Sequence, residues 1–311
     1  MSAPPIRPRV EQAHIDQWRR DGVVVVPDFF SPSELAPVQA EYERLHPKDP
    51  VMSDAEPPRR VGEGGRIGHF DPSQFANILP YPFAANLEMN LLPLHPALID
   101  TARRMLGVDA VFMYQCHTWA KFTGAADYDQ EFHFDFGNHT LLVPPDECGF
   151  GTVNYVINLT EVTPAHGAFA YVPRTIATSL AGNDALFADS ATQQQLHAVE
   201  RLATGPAGSL LIYGTDVFHR GTNLTEPGAH RYTMTVSYRP LDFIAMGGNE
   251  WARDGLKPAW RNILSAASTE QLAALGVPPP GHPYWTERTI RRLQLRYPDG
   301  QLDAWRAALP A

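Results

Sequence analysis

Val111-Phe112-Met113-Tyr114-Gln115-Cys116-His117-Thr118-Trp119-Ala120-Lys121-Phe122 is the stretch on which the reading of the fold turns. Side chains on a strand point to opposite faces with a period of two, and this stretch alternates over its whole length. One face would carry Met113, Gln115, His117, Trp119 and Lys121, the other Phe112, Tyr114, Cys116, Thr118 and Ala120. Strands dominate from here on: Phe132 to Phe136, His139 to Val143, Val153 to Leu159, Ala168 to Val172, Ser209 to Tyr213 and Thr233 to Tyr238. Turn signals separate them at Pro144-Pro145-Asp146, at Thr163-Pro164-Ala165-His166-Gly167 and at Gly205-Pro206-Ala207-Gly208. Many short strands with such turns predict a mainly β core, a sandwich or a jelly-roll barrel, and we take it as a double-stranded β-helix (a cupin-like jelly roll) with helical flanks.

Upstream, the periodicity is helical. Glu11 to Arg20 reads as a short amphipathic helix stopped by Gly22, and Val23-Val24-Val25-Val26 as a buried strand closed by Pro27. Ser31-Pro32-Ser33-Glu34 has the N-cap, first-turn proline and capping-box glutamate of a helix start, and that helix runs to about Leu45. His46 to Tyr81, rich in Pro, Gly and charge, reads as a long lid or binding loop. His95 to Leu106 is a helix ending at Gly107. Downstream, 190–200 reads as an inserted helix, and Ser268 to Pro310 is helical again apart from Pro278-Pro279-Pro280-Gly281. The chain is therefore expected to be one domain over 1–311, with a helical part at about 10–107, the β core at about 108–240 and a C-terminal helical extension at about 241–311.

A chain of 311 residues with 44% hydrophobic content can bury a sizeable core. The formal charge of -9 argues against nucleic acid or an anionic membrane as partner. Two cysteines, Cys116 and Cys148, make no CxxC pair and no disulfide framework, which points to a reduced, cytoplasmic setting. No stretch reaches the about 18 apolar residues of a spanning helix, and no secretory signal is visible in Met1 to Val10.

The chemistry is carried by His133-Phe134-Asp135. On an extended segment the two outer residues share a face, so an imidazole and a carboxylate can be offered to one point. His219 lies just beyond the glycine-flanked strand Gly208-Ser209-Leu210-Leu211-Ile212-Tyr213-Gly214, where a rolled sheet brings distant strands together. Two histidines and one carboxylate on one side of a metal leave the other positions open, a donor set that favours non-haem Fe(II) and oxygen chemistry. Arg231 opens the strand that follows.

The ordered set resembles the phytanoyl-CoA dioxygenase family. It comprises HxD at His133 and Asp135, then Gly167-Ala168-Phe169-Ala170-Tyr171-Val172-Pro173, then His219-Arg220-Gly221-Thr222-Asn223 and Arg231. The opening His14-Ile15-Asp16-Gln17-Trp18 to Val26-Pro27 is similar too, so the resemblance covers roughly 10–240. It departs at Arg174-Thr175, where members commonly continue with Gly-Ser-His. The resemblance implies an Fe(II)- and 2-oxoglutarate-dependent oxygenase, with His133, Asp135 and His219 as metal ligands. Arg231 would anchor the far carboxylate of 2-oxoglutarate through two parallel charge-assisted hydrogen bonds, and Thr233 would add a hydroxyl. Gln115 and His117 would flank the co-substrate, with Trp119 and Lys121 nearer the substrate, and Asn223 would brace the turn. The other partners are O₂ and a small-molecule substrate, with succinate and CO₂ released as an unactivated C–H bond is hydroxylated. Related halogenases carry a small residue in place of the carboxylate, so Asp135 points away from halogenation.

Blander readings compete. His133 and Asp135 alone could be a strand ion pair, and Phe132, Phe134 and Phe136 read as core. His139 reads as a strand-end or outer-sphere residue, His166 as structural, and Arg220 and His230 as facing away. Two other functions remain open: a non-catalytic cupin-like binding protein, and a zinc hydrolase on the same ligands, which lacks an HExxH motif. Specificity is expected from the loops 47–80 and 123–130, the segment 174–200 and the tail.

Overall fold

The computed structural model describes residues 8–46, 77–79, 85–109, 111–123, 129–140, 148–240, 277–298 and 302–309, with a few isolated positions between them. Most of the expected loop 46–81, the centre of the loop 123–130 and most of 241–276 lie outside the described residues.

The first helix, α1 (Gln12–Asp21), ends where Gly22 takes φ 79°, a left-handed conformation that glycine adopts without a Cβ clash. Strand β1 (Val23–Val26) follows, then α2 (Pro32–Leu45), whose start is fixed as expected: Ser31 caps the Glu34 amide and Glu34 reaches back to the Ser31 amide. A short α3 (Leu87–Leu91), not foreseen in the sequence, precedes α4 (Pro96–Leu106), which stops at a left-handed Gly107. The core strands are β2 (Val111–Phe122), β3 (Val153–Asn158), β4 (Phe169–Tyr171), β5 (Arg201–Ala203), β6 (Leu210–Tyr213), β7 (His219–Arg220) and β8 (His230–Pro240). Among them lie α5 (Phe136–His139), α6 (Arg174–Ala181) and α7 (Ser190–Val199), and the C-terminal segment forms α8 (Glu287–Arg296) and α9 (Asp303–Ala307).

Two antiparallel sheets result, one in the order β1-β6-β3-β8-β2 and one in the order β5-β4-β7. They make the jelly-roll arrangement without closing into a barrel. The large sheet is two-faced, as its alternation requires. Its outer face presents Cys116, Ala120, Tyr155, Ile157, Ile212, Tyr232, Met234, Val236 and Tyr238 to Ile15 and Trp18 of α1, Leu35, Val38 and Tyr42 of α2, and Leu98, Ala102 and Met105 of α4. Burying each large apolar side chain here contributes roughly 1.5–3 kcal/mol, which makes this layer the main source of cohesion. The inner face is polar along β8 (Arg231, Thr233, Thr235, Ser237) and meets the small sheet where Val23, Leu211 and Tyr213 pack with Ala203 and Phe169.

Three expectations need correction. Phe132–Phe136 is not a strand: only His133 pairs, as an isolated bridge to His219, and Asp135 is already helical at φ -78°, ψ -5°, leading into α5. His139–Val143 is not a strand either, because α5 takes up His139. In β2 a bulge falls between Met113 and Gln115, so Met113 pairs with Tyr238 on the outer face and Tyr114 turns inward. One extra residue in a strand exchanges the faces on either side of it, which periodicity alone cannot anticipate.

Candidate metal centre

His133, Asp135 and His219 come together from three local structures. The bridge between His133 and His219 is reciprocal, each amide donating to the other's carbonyl at 2.9 and 3.1 Å, so the two imidazoles leave adjacent backbones side by side. Their ring centroids are 4.6 Å apart. The helical turn at Asp135 brings its carboxylate back over both rings: Oδ1 is 3.6 Å from His133 Nε2, and Oδ2 is 3.2 Å from His219 Nε2. One ligand atom from each of the three residues lies within 4.8 Å of the others. Among the described residues this is the one such group of potential ligands.

The surroundings select the ligating atoms. His133 Nδ1 is 2.8 Å from the Glu131 carbonyl and His219 Nδ1 is 2.9 Å from the Val217 carbonyl. A carbonyl only accepts, so each Nδ1 carries the proton and each Nε2 offers a lone pair to the shared point. The His219 ring is stacked on Phe169, 4.7 Å between centroids at 11°. Tyr213 Oη donates to Asp135 Oδ2 at 2.8 Å. Burial opposes ionisation of Asp135, but facing His219 and His133 outweighs it, and the carboxyl is held well below its usual range. Burial likewise disfavours protonated His219, but Asp135 prevails and raises it. A cation is thus favoured at this point, in the form of a proton on His219 or a metal ion in its place. Donor set, tautomers and charge all fit Fe(II).

The approach to His219 is held from outside. Asp216 takes a forked salt bridge from Arg174, with Nε–Oδ2 at 2.7 Å and Nη2–Oδ1 at 2.9 Å, and Asp216 Oδ2 also accepts from the Gly149 amide. Arg174 is where the sequence departs from the family pattern, and here it opens α6 and ties that helix to the turn before His219. Arg220 faces away as expected, paired with Glu200 and Asp129. His230 is also turned away, stacked on Phe122 on the outer face.

The register of β2 against β8 places the remaining candidates. Gln115 faces Ser237, His117 faces Thr235, Trp119 faces Thr233 and Lys121 faces Arg231, all on the inner side of the sheet. Lys121 is therefore cross-strand neighbour to the arginine. It is fully buried, its Nζ donating to the Thr222 carbonyl at 3.1 Å. That bond ties β2 to the turn after β7, where Asn223 Oδ1 accepts no hydrogen bond. At the other end of the face, the Tyr114 hydroxyl meets buried His139 Nδ1. Burial pushes His117 down to about 4, helped by His139, and burial does the same to His139, helped by His219, so both are neutral at pH 7.

Behind the ligands lies the C-terminal segment. Arg296 of α8 is buried, donates to the Thr140 carbonyl at 2.7 Å and also to that of Leu142, and lies over the Phe136 ring. Tyr284 donates to the Val143 carbonyl, and Arg292 covers Phe150. Sequence reading missed Tyr213 and these arginines. Tyr213 had a signal, the inward position on the strand before His219, whereas the arginines had none.

These features define a protein class: a jelly-roll fold with a two-histidine, one-carboxylate centre and a cation pair at one end of its polar face. The model of the phytanoyl-CoA dioxygenase family matches residues 18–230. The chain belongs to that family and is a 2-oxoglutarate-dependent oxygenase, using iron with 2-oxoglutarate as co-substrate. The comparison with curated proteins found no match. Solved structures share the fold at low identity. The non-haem α-ketoglutarate-dependent carbocyclase SnoK from nogalamycin biosynthesis is 18% identical with a TM-score of 0.54, covering 77% of this chain and 88% of its own. HygX from Streptomyces hygroscopicus, solved with nickel and 2-oxoglutarate, is 15% identical with a TM-score of 0.51, covering 75% and 88%. EctD from S. alaskensis is 20% identical with a TM-score of 0.52, covering 77% and 80%.

Proposed function

We propose that the chain hydroxylates an unactivated C–H bond of a small metabolite or natural-product intermediate, and that His133, Asp135 and His219 hold its Fe(II). The observation that carries this reading is the convergence of three ligand atoms on one point, at one end of a polar sheet face whose other end bears Arg231 and Lys121. The neighbour from nogalamycin biosynthesis supports a biosynthetic substrate.

In this reading the chain's own groups bind, orient and exclude water. Arg231 offers a planar fork to the far carboxylate of 2-oxoglutarate, and Lys121, across the strand pair, adds a second positive charge. This moves Lys121 from the substrate side, where the sequence put it, to the co-substrate end. Thr233, Trp119 and His117 line the stretch between the cations and the metal ligands. His117 and His139, both neutral, contribute hydrogen-bonding groups without competing for the iron's anionic partner. Bound iron would let O₂ act as the oxidant, taking two electrons from 2-oxoglutarate, which leaves as succinate and CO₂, and two from the substrate C–H bond. The packing of the C-terminal helices behind α5 supports treating the chain as one catalytic unit.

The test is anaerobic titration of the protein with Fe(II) and then 2-oxoglutarate, followed by oxygen-dependent succinate release over a metabolite panel. A visible charge-transfer band on addition of 2-oxoglutarate is expected in the wild type and absent in Asp135→Ala. Unchanged succinate formation in Asp135→Ala would sink the assignment. Zinc-dependent hydrolysis without any such band would favour a hydrolase.

A further inference from the structure

We propose that Tyr213 is a positioning residue for the iron: its hydroxyl claims one oxygen of Asp135, so that the carboxylate ligates through the other alone. The inference rests on the metal reading above.

A carboxylate beside a metal can bind through one oxygen or both. The second mode would occupy a position that a chelating 2-oxo acid or dioxygen needs. A metal held by His133, Asp135 and His219 would have fewer positions left for the 2-oxo acid and dioxygen if both oxygens of Asp135 bound it. Tyr213 Oη sits 2.8 Å from Asp135 Oδ2, the oxygen that also faces His219 Nε2 at 3.2 Å, and so competes for it, while Oδ1 is turned toward His133 Nε2 at 3.6 Å and has no such donor among the described residues. The phenol has little freedom to leave. Tyr213 is buried, its strand is paired on both sides through Val23 and Asn154, and its ring packs against Phe169 at 5.0 Å and His219 at 5.3 Å. A phenylalanine would fill the same space and lose only the hydrogen bond, which makes the role separable from packing.

The experiment compares wild type, Tyr213→Phe and Phe169→Leu as full-length proteins. Fe(II) binding is read anaerobically by calorimetry, 2-oxoglutarate binding by the charge-transfer band, and stability by Tm. Tyr213→Phe is expected to bind Fe(II), to keep its Tm within a few degrees, and to need at least about tenfold more 2-oxoglutarate to develop the band, in line with the usual effect of removing a hydrogen bond to a metal ligand. Phe169→Leu, which alters packing and spares the hydroxyl, is expected to lower Tm without that change in 2-oxoglutarate affinity. Two results overturn the proposal: equal 2-oxoglutarate affinity in Tyr213→Phe and wild type, or an intense phenolate-to-iron band in the oxidised wild type that Tyr213→Phe abolishes. Failure of wild type to bind Fe(II) overturns instead the metal assignment on which this rests.

Discussion

Replacing Lys121 with methionine decides which end of the pocket that lysine serves. Its ammonium is fully buried, donates to the Thr222 carbonyl at 3.1 Å and faces Arg231 across the strand pair. If it shares the far carboxylate of 2-oxoglutarate, its removal takes away one charge-assisted hydrogen bond, worth about 1.5–3 kcal/mol. At about 1.4 kcal/mol per decade, the dissociation constant of 2-oxoglutarate should rise roughly ten- to a hundredfold. Stability should move much less. Methionine fills similar volume with an unbranched chain, and exchanging a buried cation for an apolar side chain is often neutral or stabilising. The lost bond to Thr222 works the other way, at about 1 kcal/mol, so a Tm shift of a few degrees of either sign is compatible. The assay is anaerobic titration of the Fe(II) protein with 2-oxoglutarate, with Tm recorded on the same samples. Unchanged 2-oxoglutarate affinity combined with loss of substrate-stimulated succinate release would refute the reasoning and return Lys121 to the substrate side.

Three further outcomes are expected. Arg296→Met should lower Tm by several degrees and weaken Fe(II) binding, because the Thr140 and Leu142 carbonyls lose their buried donor just behind Asp135; calorimetry and thermal denaturation check both. Without metal, stability should fall as pH drops from about 6.5 toward about 4. His117 and His139 have folded values of about 4, below the about 6.5 of an unfolded histidine, so the unfolded chain takes up protons first and the stabilisation present above 6.5 is lost on acidification. Tm against pH should be flatter over that window in His117→Gln, and an unchanged slope would contradict the assignment. Ser31→Ala removes the cap at the start of α2 and should cost about 1 kcal/mol in denaturant titration, with no effect on 2-oxoglutarate affinity.

What was legible in the chain depended on whether the cause was local. The caps of α2 and α4, the glycine stop of α1 and the helix over 190–199 follow from short-range chemistry, and sequence reading found them. His133, Asp135, His219 and Arg231 stood out because few functions need those types in that order. The geometry assumed for His133 and Asp135 was nonetheless mistaken. Their carboxylate and imidazole converge through a bridge followed by a helical turn, not through a shared strand face. The bulge at Tyr114 was invisible because its effect exists only relative to β8. The pairing of Lys121 with Arg231 was invisible for the same reason: the two are far apart in sequence and adjacent only through the ladder. Arg174 read as a departure from the family pattern, and only the fold reveals its partner, Asp216.

The arginines of α8 have a consequence for how the protein is made. The three candidate ligands and the cross-strand pair Lys121 and Arg231 lie between residues 121 and 231, and the helix that supports the loop after Asp135 is synthesised well after them. A nascent chain emerging from the ribosome therefore possesses every proposed metal ligand before it possesses Arg296. During that interval the segment from Phe136 to Val143 has its carbonyls in water and its apolar side chains uncovered. Order of synthesis thus places docking of α8 after every proposed ligand has emerged, and a ribosome stalled short of it would display a half-built centre whose ligands are present but unbraced.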